Sequence, residues 1–249
     1  KTSLSDYRGI RKNSDLLPSA SLYAISYWNA LFSKNTYGIF KALDRLNFAF
    51  LAFAVLIIAG CISIAAAFVK RLRRGAVWVS IFTTGFMGMS FNLITIYAYQ
   101  STFGFVFHHL ALLVASFMAG LTLGGWLMTR RLSRIKNDLA SFRNIEIAAV
   151  GFCSAAGPLI LLLNRHVRFE FAALFFVLSG MAGCLVGLEF PLATKILGHD
   201  KDRPRTGGLL YALDLGGAWL AALTTSVALV PVIGIVKTCV LLALLKVMS

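Results

Sequence analysis

Long apolar runs alternate along this chain with short polar stretches, most of them basic, and few of the runs keep a polar face. A helix that is apolar all round is either buried in a large core or spans a bilayer. Crossing the hydrocarbon takes about 20 apolar residues at about 1.5 Å each. The pattern therefore predicts an all-α, polytopic integral membrane helix bundle with about seven transmembrane helices. The expected spans are residues 47–69, 76–100, 105–129, 145–163, 171–197 and 207–230, with a short seventh ending near Met248. Pro231 to Gly234 predicts a tight turn before that last helix, because proline breaks the backbone ladder and glycine permits the reversal. Residues 1–46 are too polar to span. They read as an extramembrane tail or linker ending in an interfacial helix around Tyr23, Tyr27 and Trp28, which leaves 47–249 as the transmembrane helical domain.

Composition agrees with this division. The chain is 58% hydrophobic and 14% charged, where a soluble domain has about a quarter charged residues. A net charge of +14 would suggest nucleic acid in a soluble protein. Here the basic residues cluster between spans, so the expected partner is a bilayer with anionic headgroups and no nucleic acid. The loops after spans 1, 3 and 5 hold thirteen Lys or Arg, while the opposite short loops hold Arg165 and Arg168. The rich side is expected to be cytoplasmic, in a bacterial inner membrane. That orientation puts residues 1–46 outside despite their seven basic residues. No initiator Met and no signal peptide begin the chain, so residue 1 is expected to be an internal start.

Chemistry-bearing residues are few. Cys61, Cys153, Cys184 and Cys239 all fall within spans without CxxC or Cys/His spacing, so they read as small buried hydrophobes. No cofactor or metal is expected. His108 and His109 sit near one end of the third span with no second inward-facing His at their depth, as bis-His haem ligation would need. With Tyr97, Tyr99 and Gln100 they form an aromatic belt, or at most a quinone or subunit contact at the outer interface. Ser179-Gly180 lacks the glycine two residues before the serine that an intramembrane serine protease uses, position 177 being Val. Ser116, Gly120 and Gly124, and likewise Ser179, Gly183 and Gly187, recur every four residues and predict close helix packing.

Two acids stand apart. Glu189 and Asp214 lie in the fifth and sixth spans, and ionisable groups at bilayer depth usually face a partner, a cavity or water. The two spans are antiparallel neighbours, which puts both carboxylates at one level, Tyr211 beside Asp214 and Pro191 beside Glu189. Such a pair could hold a polycation or share a proton, with carbonyls freed by the proline nearby. The competing reading pairs each acid with Lys195, Arg205 or a backbone group to fix packing.

Three blocks give the chain a resemblance to the membrane regions of spermidine synthase-like polytopic bacterial proteins, in which membrane helices are fused to an aminopropyltransferase-like domain. They are Asn13 to Pro18 with Tyr23 and Trp28; Gly85 to Asn92 through Gln100, Gly104 and Ser116 to Gly124; and Gly187 to Ala193 with Tyr211 to Ala218, followed by Leu229 to Gly234. Where that family often has a Glu in the second span this chain has Asn92, and Phe107-His108-His109 replaces its aromatic and amide residues. Glu189 and Asp214, with Asn92 and Tyr211, are the candidate substrate-binding residues, and the resemblance implies a soluble aminopropyltransferase fold upstream. No glycine-rich nucleotide loop or Asp-rich polyamine pocket is visible here, so no catalytic residue is assigned. Two functions are expected on these grounds. One is a non-catalytic membrane subunit that anchors other protein subunits, cytochromes among the candidates, in an electron-transfer complex. The other is a transport or binding module for a polyamine or other cation at Glu189 and Asp214.

Overall fold

The computed structural model describes residues 72–104, 107–165, 172–198 and 203–247, and within them every regular element is a helix, with no strand. In order, the elements are α1 (Leu72–Phe103), α2 (Phe107–Arg131), α3 (Asp138–Arg165), α4 (Ala172–Leu197), α5 (Arg203–Thr224), a π-helical segment (Thr225–Ile233) and α6 (Ile235–Val247). Five stretches are long and apolar enough to cross a membrane: Gly75–Phe103, Phe107–Arg131, Asp138–Leu163, Ala172–Leu197 and Pro204–Ile233. They match the second to sixth expected spans. The first, at 47–69, lies outside the described residues, as does the tail 1–46.

The C-terminal reversal falls later than the sequence predicts. Pro231 sits inside the π segment and does not begin the turn, so the sixth expected crossing runs on to Ile233. A wider, i→i+5 winding accommodates the proline, whose missing N–H would break a regular ladder. The chain reverses only at Gly234, whose φ of 89° suits a residue without Cβ. Of the helix that follows, α6, 13 residues are described, and it is not among the five stretches long and apolar enough to cross a membrane.

Burial identifies the central helix. Two-thirds of the apolar window of α1 (67%) is buried, against 22% for α2, so α1 is the post around which the others gather. It packs on α4 and α5, α2 packs on α4, and α3 packs on α6. The small-residue stripes meet each other as their spacing requires. A Cβ on Gly120 would stand 1.9 Å from the Gly180 carbonyl oxygen, and one on Gly183 would stand 2.0 Å from that of Phe117. Backbone lies against backbone along this seam, and the Ser179 hydroxyl donates across it to the Leu113 carbonyl at 2.9 Å. Gly217 makes a similar approach to Phe82 between α5 and α1. Cys153 and Cys239 are buried free thiols and Cys184 is half-buried.

Candidate functional site

Four helices send polar side chains into the apolar interior at one level, in the half of the bundle next to the basic loops. Glu189 lies eight residues before the end of α4, and Glu146 eight residues after the start of α3, so each is about 12 Å along its helix from that end. From the short α6, Lys246 reaches into the same space near the end of its helix. Ser80 and Thr84, one turn apart on α1, complete the set, and all five residues are buried.

The contacts form one network. The Lys246 ammonium donates to both Glu146 oxygens, at 2.9 Å (Oε1) and 2.8 Å (Oε2), and to both Glu189 oxygens, at 3.2 Å each. It also donates to Thr84 Oγ1 at 2.6 Å. The Ser80 hydroxyl donates to Glu146 Oε1, and the Thr84 hydroxyl lies in hydrogen-bond contact with Glu189 Oε2 and with the Ser80 carbonyl. Glu189 and the Lys246 side chain are wholly removed from the surface. Buried charges persist only where partners and hydrogen bonds replace water, which this ring of oxygens does. On its far side the Glu146–Lys246 pair lines a cleft of about 330 Å³ together with Arg143 and Phe142.

Asp214 lies on α5, a neighbour of α4, and its surroundings are different. It is half-buried and lines a cavity of about 420 Å³ with Thr84, Gly187, Pro191, Tyr211 and Leu215. None of the described residues donates a hydrogen bond to its carboxylate. Gly85 makes room for it: a Cβ there would stand 2.1 Å from the Asp214 carbonyl oxygen and 2.7 Å from Oδ1. Pro191 lies inside α4 and cannot donate to the carbonyl one turn back, that of Gly187, which lines the same cavity. With the Thr84 hydroxyl taken up by Lys246 and Glu189, the cavity offers a carboxylate, a released carbonyl and the Tyr211 hydroxyl, on otherwise apolar walls. These are oxygen donors suited to a cation or an ammonium head.

The structure divides the residues singled out in the sequence. Asp214 and Tyr211 share the cavity, while Glu189 turns from it toward Lys246. Asn92 is buried two turns further along α1, its Oδ1 without a hydrogen-bond partner, and it does not line the cavity. Neither acid pairs with Lys195, which donates to Asp138 Oδ1 at 2.7 Å and to the Leu132 carbonyl at 3.0 Å. At the opposite end of the bundle Tyr99 is not a belt residue. It is buried in the core, its ring 5.6 Å from that of His109 and 5.7 Å from that of Phe175. Tyr97, Gln100 and His109 are half-buried and His108 is exposed. Among the described residues no three His, Cys, Asp or Glu side chains gather as metal ligands would.

Sequence reasoning passes over Lys246, Glu146, Ser80 and Thr84. The signal is present for two of them. Lys246 falls in the short last helix and Glu146 in the fourth expected span, and the rule that picks out Glu189 applies to both.

Over 173 residues the chain is 26% identical to a polyamine aminopropyltransferase of Leptospira interrogans (serogroup Icterohaemorrhagiae serovar copenhageni, strain Fiocruz L1-130). The match takes in 69% of this chain and 34% of that protein, so it spans about a third of the relative's length. No protein-family profile matches the chain. No solved structure matches it either. What these findings and the fold establish is a helical, membrane-compatible chain with a distant likeness to an aminopropyltransferase.

Proposed function

We propose that this chain is the membrane module of an aminopropyltransferase-like protein and that it binds a cation, an amine above all, at Asp214. The observation that carries the reading is the Asp214 carboxylate, which opens on a cavity that also takes in Tyr211 and the released Gly187 carbonyl, while no described residue neutralises it through a hydrogen bond. A carboxylate held at bilayer depth costs a few kcal/mol unless something compensates it, and a bound cation is that compensation. Glu189 is committed to Lys246, which narrows the two-acid site expected from the sequence to Asp214. The module carries no catalytic residue in this reading. Its basic loops face the cytoplasm of a bacterial cell, so the cavity lies in the cytoplasmic half of the inner membrane.

The direct test is equilibrium binding of labelled amines and of inorganic cations to the purified chain in nanodiscs. Asp214→Asn is expected to weaken binding about tenfold or more, the value of one charge-assisted hydrogen bond. Equal binding by wild type and variant would remove the site. An anchoring role in a larger complex is the second reading, in which the outward face of α2, where Leu112, Met118 and Leu123 are each 53% exposed, would seat a partner helix in place of lipid. A chain that purifies as a monodisperse monomer and binds amines on its own would count against it.

A further inference from the structure

From the walls of the Asp214 cavity we infer its ligand class: a single ammonium head on an apolar tail, admitted sideways from the lipid phase. The inference rests on the cation-binding reading of Asp214 and goes beyond it by excluding the polyamines that the distant relative's name suggests.

Four observations lead there. The first is charge count. A linear polyamine carries a second ammonium a few methylenes from the first, and that charge needs its own anion. The acids nearest in the bundle, Glu189 and Glu146, both grip the Lys246 ammonium, and neither lines the cavity. The second is reach. Thr84 lines the cavity with its hydroxyl already engaged by the Lys246 ammonium and Glu189, so the wall between the cavity and the two glutamates offers no acceptor to a second ammonium. Inside the cavity one carboxylate, that of Asp214, faces a ligand, and it matches one cationic head.

The third observation is the apolar lining. Met118, Leu121, Val186, Phe190 and Leu215 surround the three polar side chains, so most of what a ligand would touch is hydrocarbon. A hydrated polycation would lose water there and gain little, whereas an alkyl tail gains the burial. The fourth is the way in. Met118, Tyr211 and Leu215 belong to the cavity and are 53%, 58% and 49% exposed on the outer faces of α2 and α5. In a bilayer that outer surface meets acyl chains, so the mouth opens toward lipid. A long-chain amine partitions into that phase with its head near the interface, whereas spermidine stays in water.

The test is saturable binding of radiolabelled dodecylamine to the purified chain in nanodiscs, read by scintillation proximity, with unlabelled dodecylamine, dodecanol and spermidine as competitors. Two variants control it. Asp214→Asn removes the anion. Gly125→Leu fills the cavity without touching charge, since a Cβ there meets nothing nearer than the Gly187 carbonyl oxygen at 3.7 Å. Both are checked for folding by circular dichroism melts, so that loss of binding by either folded variant is informative. The expected result is saturable dodecylamine binding that weakens about tenfold or more in each variant, with dodecanol and spermidine displacing it at least about tenfold less well than dodecylamine. Spermidine competing as well as dodecylamine would overturn the ligand class and leave the cation site standing. Dodecanol competing equally would reduce the cavity to an apolar groove in which the head is not recognised. Absence of saturable binding by either amine would overturn the ligand class and the cation reading together.

Discussion

Glu189 and Asp214 lie on neighbouring helices in the same half of the bundle, and the structure treats them in opposite ways. Glu189 is fully buried, with both oxygens on the Lys246 ammonium and one on Thr84. Asp214 is half-buried beside a cavity, with no hydrogen bond from a described residue. The difference comes from what the helices bring with them. The side of α4 that carries Glu189 meets α1 and the tip of α6, which supplies a cation; the side of α5 that carries Asp214 meets Gly85 and open space. A carboxylate in a membrane helix can therefore serve as a tie between helices or as a receptor. Depth alone does not decide which.

The sharpest way to break the comparison is Lys246→Met. It leaves Glu146 and Glu189 buried against each other without their shared ammonium, and removing one partner of a buried ion pair costs about 3–5 kcal/mol. Denaturant titration of the purified chain in micelles, followed by circular dichroism, should show that loss. Adding Glu189→Gln to the same variant neutralises one stranded carboxylate and should recover about 1–3 kcal/mol. If Lys246→Met is as stable as wild type, the network is not a tie and Glu189 belongs with Asp214 after all.

Gly85→Ala gives a smaller effect, directed at the other acid. The added Cβ would meet the Asp214 carbonyl oxygen at 2.1 Å, which is backbone and has no flexible end to swing aside. Helices α1 and α5 must separate, at a cost of about 1–3 kcal/mol, and Asp214 moves with its helix. Amine binding should fall, while the double variant Gly85→Ala with Lys246→Met should lose close to the sum of the two stabilities, because Thr84 is the one described residue in both regions and neither substitution removes it. A strongly non-additive double variant would join the two regions into one site.

Much of this frame is legible in the sequence, and the reasons bear on what is not. The five stretches long and apolar enough to cross a membrane are readable because each is a long apolar run, and the α2–α4 seam because Ser116, Gly120 and Gly124 repeat at the spacing of Ser179, Gly183 and Gly187. Asp214 and Tyr211, one turn apart on a helix, are bound to share a face, and they share the cavity. The partner of Glu189 is hidden because Lys246 is 57 residues away on a helix whose register nothing local specifies. Tyr99 is easily misplaced because an aromatic near the end of a span looks the same in a headgroup belt and in a core. Only the packing of Phe103, His109, Phe175 and Phe176 around it separates the two. The π segment escapes notice for a related reason, since a proline so close to the reversal at Gly234 reads as the turn itself unless the ladder around it is seen.

Asp214→Asn should have the smallest effect on stability, and its smallness is what the comparison needs. No hydrogen bond from a described residue is lost, and a charge at bilayer depth is removed, so the variant should be as stable as wild type or more stable by about 1 kcal/mol. Glu189→Gln, measured in the same micelles, takes a charge out of the network and should destabilise by more than that. A natural carboxylate that costs stability where an amide would not is retained for what it binds, as at other sites where function and stability pull apart. If Asp214→Asn instead unfolds the chain by about 2 kcal/mol or more, Asp214 is a second tie between helices, and the cavity beside it is packing space.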